Sequence, residues 1–255
     1  MNEISSSSRG QNKTEDFVRW NLSRISTGSL AFDCLFGGNG LPIGSVTDIF
    51  GAFATGKTQF AFQNAVMTCK HFLDREKSLS NPAVVFVDCG GSFRPERISE
   101  IAISRGVNPE RVLDLIVCAY VRSVSEQRDV SQRFLIDDRF SKCRLIVIDD
   151  VTMNFMAESN ETDQVMHRQF LLGSHIRKLS YIASRTGLSV LLTNSIRSRP
   201  ELGQSETTGE IISQYSLYRL HFNREGKTRT ATITQPILLK DKMISFEIAT
   251  EGIIP

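Results

Sequence analysis

Two short stretches carry residue types whose spacing suits chemistry on a phosphate. GAFATGKT, residues 51–58, fits G-x-x-x-x-G-K-[ST]. Its glycines let consecutive backbone N–H groups wrap phosphate oxygens, and a helix beginning at the lysine adds the positive end of its dipole. Gly51, Ala52, Phe53, Ala54, Thr55 and Gly56 form the cradle, Lys57 has the reach for β- and γ-phosphates, and the Thr58 hydroxyl suits Mg²⁺. The second stretch is LIVID, residues 145–149. Four apolar residues bury a strand, and Asp149 emerges at its end, where a carboxylate can hold the water shell of Mg²⁺. An apolar run ending in Asp is common, but behind GAFATGKT it completes a nucleotide-phosphate site.

A third stretch, VVFVDCGGSFRPER at residues 84–97, also ends a run of apolar residues abruptly. Its edge offers one acid (Asp88), one thiol (Cys89) and two residues without side chains (Gly90 and Gly91). No local base supports a nucleophilic Cys89, so it reads as a small buried thiol at a strand end.

These stretches need strands that deliver them to one edge. The strands expected are SVTDIF (45–50), AVVFVD (83–88), LDLIVCAY (113–120), RLIVID (144–149) and LSVLLTN (188–194). Helical patterns lie between them at 57–74, 94–106, 122–138 and 164–186. That alternation predicts an α/β fold with a mostly parallel central sheet flanked by helices. After residue 215 the rhythm changes to SLYRLHF (216–222), RTATITQ (229–235) and MISFEIA (243–249), with a hairpin turn expected in NREGK (223–227). These runs read as a C-terminal antiparallel extension.

At 255 residues, 40% hydrophobic and 23% charged, the chain suits one sizeable domain, expected over 25–255 behind a flexible, polar tail and linker at 1–24. No apolar run approaches the roughly 20 residues of a membrane span, and no apolar core of a secretory signal is present. Five scattered cysteines without a C-x-x-C pair argue for reduced, mostly buried thiols, not a disulfide or zinc framework. His71, His167, His175 and His221 have no ligand spacing with Cys or Glu. A net charge of +2 neither demands nor excludes a nucleic-acid partner.

ISTGSLAFDCLFGGNGLPIGSVTDIFGAFATGKTQ (25–59) resembles the start of the ATPase core of the RecA/RadA-type recombinases. FVDCGGSFRPER (86–97) is similar to that family's strand and F-R-P-E-R segment. RQFLLGSHIRKLSYIASRTGLSVLLTN (168–194) resembles the helix and strand before its second DNA loop, and TTGEIISQYSLYRLHFNREGKTRTATI (207–233) its C-terminal strands. The likeness runs from Ile25 to Gly252 and is greatest to the archaeal and eukaryotic branch, particularly its recombinase paralogs. Only 24 residues precede it, too few for the helical N-terminal domain of the full recombinases. The resemblance implies a RecA-like fold with ATP at Gly51–Thr58, Mg²⁺ at Thr58 and Asp149, and adenine contacts near Arg97. Arg97 is equally readable as a solvated helix residue. The implied setting is the cytoplasm beside the nucleoid, or the nucleus in a eukaryote.

The sequence also departs from this family. Where the family presents a glutamate that activates water (D-T-E-G-T-F), this chain has Gly90. A general base contributes about 10²- to 10⁴-fold, none of which glycine supplies. Asp150, next to Asp149, is the candidate replacement base, or else merely a cap for the segment VTMNFM. Ser195, Gln214 and Gln235 stand where the family places a glutamine, a histidine and an acid that sense the nucleotide. Four such losses predict tight ATP binding and slow hydrolysis.

The implied DNA loops fall near 154–166 and 196–208. The first carries three acids and no Lys or Arg, so it attracts phosphate poorly. The second keeps Arg197 and Arg199, which either contact phosphates or lie solvated in an exposed loop. Weak binding of single-stranded DNA is expected. Phe17 and Trp20 dock either on their own domain or on a neighbouring protomer, although FVRW does not meet the F-x-x-A pattern of the family's linker. The expected function is a mediator or regulator of a strand-exchange recombinase in recombination and repair, partnered with a recombinase, another paralog or its own copies. The alternatives are an active DNA-dependent ATPase and strand-exchange recombinase, and an ATP-responsive assembly switch outside DNA metabolism.

Overall fold

A computed structural model describes residues 24–75, 81–157, 162–196, 198–199, 203–204 and 208–255. Two short strands, β1 (Arg24–Ile25) and β2 (Leu41–Pro42), pair antiparallel around helix α1 (Leu30–Leu35). Strand β3 (Val46–Gly51) leads into α2 (Lys57–Arg75), and β4 (Val84–Asp88) into α3 (Pro95–Ser104) and α4 (Pro109–Asp114). Next come β5 (Ile116–Tyr120) and α5 (Val124–Ile136), then β6 (Leu145–Asp149) with α6 (Met153–Ala157) and α7 (Thr162–Thr186). Strand β7 (Ser189–Ser195) precedes a small hairpin, β8 (Ser198–Arg199) with β9 (Gly203–Gln204), and helix α8 (Gly209–Ser213). The chain closes with β10 (Tyr218–Glu225), β11 (Thr228–Gln235), β12 (Met243–Ala249) and β13 (Gly252–Ile254).

Nine of these strands form one sheet in the order β13-β12-β11-β10-β3-β7-β6-β4-β5. The block from β10 to β5 is parallel throughout, and β10 to β13 pair antiparallel. The expected mostly parallel α/β sheet with an antiparallel extension is therefore what forms. Strands β4 and β6 are buried on both faces, which is why they read as unbroken apolar runs. Val84, Phe86, Leu145 and Val147 face the core under α2, α3 and α4, while Val85, Val87, Ile146 and Ile148 face the core under α5 and α7.

The differences from expectation have local causes. LDLIVCAY does not start a strand at residue 113. Asn108 caps a helix whose first turn carries Pro109, its side chain accepting from Arg111 N–H, so the chain stays helical to Asp114. In NREGK the strands run through most of the segment, and only Gly226 and Lys227 turn, with Gly226 at φ 62°. The segment 1–23 lies outside the described residues, with Phe17 and Trp20. Among the described residues no helix is long and apolar enough to cross a membrane.

Candidate functional site

The parallel register delivers four chain segments to one sheet edge. Gly51 at the end of β3 lies opposite Ser195 of β7, and Asp88 at the end of β4 lies opposite Asp149 of β6. Between them opens a cleft of about 840 Å³. Its lining brings together Phe53, Ala54, Gly56, Lys57, Thr58, Arg97, Asp149 and Asp150, joined by Gly90, Ser92, Met153 and the β12 end Ile248–Thr250.

The loop at 51–56 is held by close backbone approach. A Cβ on Gly51 would stand 2.1 Å from the Phe222 carbonyl of β10, so only glycine fits there. Gly56 adopts φ 108°, and a Cβ on it would stand 3.1 Å from Ile248 and 3.2 Å from the Phe246 ring. Lys57 is buried, and its Nζ donates to the carbonyls of Gly51 (2.9 Å) and Ala52 (2.8 Å). Burial pulls the Lys57 ammonium below its ordinary value, against the opposing pull of the Asp150 and Asp149 carboxylates.

Asp149 collects hydroxyl groups. Thr58 Oγ1 lies 3.0–3.1 Å from both its carboxylate oxygens, Ser92 Oγ donates to Oδ2 at 2.6 Å, and Thr193 Oγ1 donates to Oδ1. Burial pushes the Asp149 carboxyl up, while the hydroxyls of Ser92, Thr193 and Thr58 favour its anion. Asp88 serves the loop after β4: its oxygens accept from the N–H groups of Gly90 (3.2 Å), Ser92 (2.9 Å) and Phe93 (2.9 Å). Cys89 is buried and its thiol is pushed up, chiefly by desolvation.

The residues present fit a magnesium nucleotide. A glycine-bounded loop meets the start of a 19-residue helix, an ammonium group sits within the loop, and a threonine hydroxyl touches a strand-end carboxylate. Gly51–Thr58 would hold the phosphates, and Thr58 with Asp149 the Mg²⁺.

Arg97 sits on this cleft as a clamp. Its Nε donates to Gln59 Oε1 at 2.7 Å, Nη1 pairs with Glu100 at 2.7 Å and reaches the Thr250 carbonyl at 2.9 Å, and Nη2 donates to the Ala249 carbonyl. It is thus not merely a solvated helix residue, since it ties α3 to the end of β12. Asp150 has both oxygens engaged: Oδ1 accepts from Thr152 N–H (3.0 Å) and Oγ1 (2.8 Å), and Oδ2 from Ser195 N–H (2.8 Å).

The sequence model of the Rad51 family matches residues 18–255. The chain belongs to the Rad51 family. It is 32% identical over 215 residues to the DNA repair and recombination protein RadA of Cenarchaeum symbiosum (strain A), which covers 83% of this chain. The chain spans about half, 53%, of that relative's length.

The residues expected to depart from the recombinase pattern have these positions in the Rad51-family chain. Gly90 is exposed on the cleft wall. Ser195 lines the cleft with its N–H given to Asp150, and Gln214 is exposed at the end of α8. Gln235 turns inward, its Nε2 donating to the carbonyls of Ser216 (2.9 Å) and Ser213 (3.2 Å). Arg197 and the side chain of Arg199 lie outside the described residues.

The structure also adds residues to the site. Ser92 and Thr193 join the Asp149 cluster, and Met153 and Arg229 line the cleft. Ser92 lay within the family-like loop and was visible as a hydroxyl near a strand end. Arg229 carried no signal, because it reaches the cleft from the antiparallel strands.

Proposed function

We propose that this Rad51-family protein binds ATP with Mg²⁺ and acts in homologous recombination and DNA repair as mediator or regulator of a strand-exchange recombinase. It binds single-stranded DNA weakly, through Arg197 and Arg199, and hydrolyses ATP slowly. One observation carries the reading: the cleft keeps its phosphate cradle, Lys57, Thr58 and Asp149, yet the wall position that holds the family's glutamate is an exposed glycine, Gly90.

The chain's own groups bind and orient the nucleotide. Lys57 exchanges the Gly51 and Ala52 carbonyls for phosphate oxygens, and Arg97 keeps the α3–β12 wall in place beside the base. Bound Mg²⁺ supplies charge neutralisation on the phosphates. Asp150, tied by Thr152 and Ser195, acts to fix the strand-end loop instead of taking a proton from water. A protein partner has apolar surface to cover: Phe53 at the cleft rim and Ile237 and Leu238 after β11 are exposed by 93%, 83% and 90%.

ATP binding and steady-state turnover, measured together with and without single-stranded DNA, test this reading. Tight binding with turnover well below an active recombinase, insensitive to Asp150→Asn, is expected. Vigorous turnover that survives Asp150→Asn, or strand exchange by the chain alone, refutes it. Retention of the cell's recombinase in an ATP-dependent pull-down supports the mediator role.

A further inference from the structure

Among the described residues, three cationic side chains line the cleft: Lys57, Arg97 and Arg229. Lys57 is satisfied by the carbonyls of its own loop, and Arg97 spends Nε, Nη1 and Nη2 on Gln59, Glu100, Thr250 and Ala249. Arg229 differs from both. It has no hydrogen-bond or ion-pair partner among the described residues, and its Nε is shut away from solvent. A buried donor left orphaned is unfavourable unless something else satisfies it.

Where Arg229 sits says what that is. On β11 it shares a face with the core residues Ala231 and Ile233, at the end of that row which opens on the cleft. It stands opposite Phe246 on β12, and Phe246 with Ile248 forms the surface that presses on Gly56. The wall bearing Arg229 therefore abuts the phosphate cradle. The Arg97 clamp acts further along, at the end of β12.

We infer that Arg229 donates its guanidinium to the polyphosphate of the bound nucleotide, as a second cation beside Lys57. This deepens, and rests on, the ATP-binding reading above. It makes the antiparallel extension part of the nucleotide site, with β11 reporting the phosphates to the outer strands.

The test is displacement of a fluorescent ATP analogue by ATP, ADP and AMP, with Mg²⁺, from the full chain and its variants. These are Arg229→Ala, Arg229→Gln, Arg229→Lys and Lys57→Ala, each checked by circular dichroism and melting without nucleotide. Arg229→Ala and Arg229→Gln are expected to weaken ATP about tenfold, with a smaller loss for AMP and part of the affinity kept by Arg229→Lys. The glutamine variant retains side-chain length, so it separates lost charge from lost packing. ATP affinity within about twofold of wild type in both variants overturns the inference, and so does an equal loss for AMP. If Lys57→Ala loses ATP while the Arg229 variants do not, only the role of Arg229 fails. If wild type binds no better than Lys57→Ala, the ATP reading fails with it.

Discussion

Gly90 is exposed, its φ is outside the left-handed region, and the nearest atom to a Cβ there is Met153 Sδ at 3.3 Å. The backbone does not need a glycine, and the flexible, 43% exposed Met153 can give way. Gly90→Glu is therefore expected to fold and to raise ATP turnover by about tenfold or more, read in a steady-state hydrolysis assay. Unchanged turnover in a variant that still binds ATP would mean the glutamate alone was not what the site lacked. His175 makes a second residue-scale case. It is 1% exposed on α7, against the Phe155 ring, with Arg128 of α5 and Lys178 of its own helix as the charges acting on it. Neither ring nitrogen has a partner among the described residues, and burial drives its pKa from 6.5 down to about 3. Between those values only the unfolded chain takes up the proton, so the native state loses stability as pH falls below 6.5. At pH 5 the loss is about 2 kcal/mol, and His175→Leu is expected to flatten this limb in urea titrations across pH.

At the scale of elements, the seam between β3 and β10 joins the two halves of the sheet. Arg219 of β10 lies in register with Asp48 of β3, its Nε donating to Asp48 Oδ2 at 2.9 Å, and its guanidinium stands 4.4 Å from the Phe50 ring centroid. Both side chains are buried, so the pair is isolated from competing water. Asp48→Ala leaves the arginine charge buried without its counter-ion and is expected to cost about 3–5 kcal/mol, measured as a lower urea midpoint. Because β3 carries Gly51, the same substitution should weaken ATP binding through a loosened cradle. An aromatic cluster holds the far side of that seam: Phe32 packs on Phe60, Phe222 and Phe246, and Phe222 on Phe60 and Phe246, with ring centroids 4.8–5.8 Å apart. It fastens α2, the helix of Lys57 and Thr58, to β10 and β12.

For the whole molecule, the proposed nucleotide would be a ligand of the folded state alone. ATP with Mg²⁺ at about 100 times its dissociation constant should add about 2.7 kcal/mol of stability, seen as a higher melting temperature. Lys57→Ala should abolish that shift. A wild-type chain whose melting does not respond to ATP would contradict the phosphate site. The cleft is lined by Lys57, Thr58 and Gln59 of α2, Arg97 of α3, Ser195 of β7 and the end of β12, so the stabilisation is spread over elements distant in sequence.

The sequence by itself determined the parallel sheet and the strand ends at which the 51–58 loop, Asp149 and Gly90 lie. Each is encoded in contiguous residues: an apolar run, a glycine spacing, a single acid at a strand end. Short elements such as α6, α8 and β13 left no periodicity to read, and the strand expected from residue 113 gave way to a capped helix. Only the tertiary structure decided that Asp88 shapes the Gly90 loop, that Asp150 is held by Thr152 and Ser195, and that Arg97 clamps β12. It alone placed Arg229 in the cleft. Those assignments depend on which strands lie side by side and in what register, and long-range packing of the two cores fixes that.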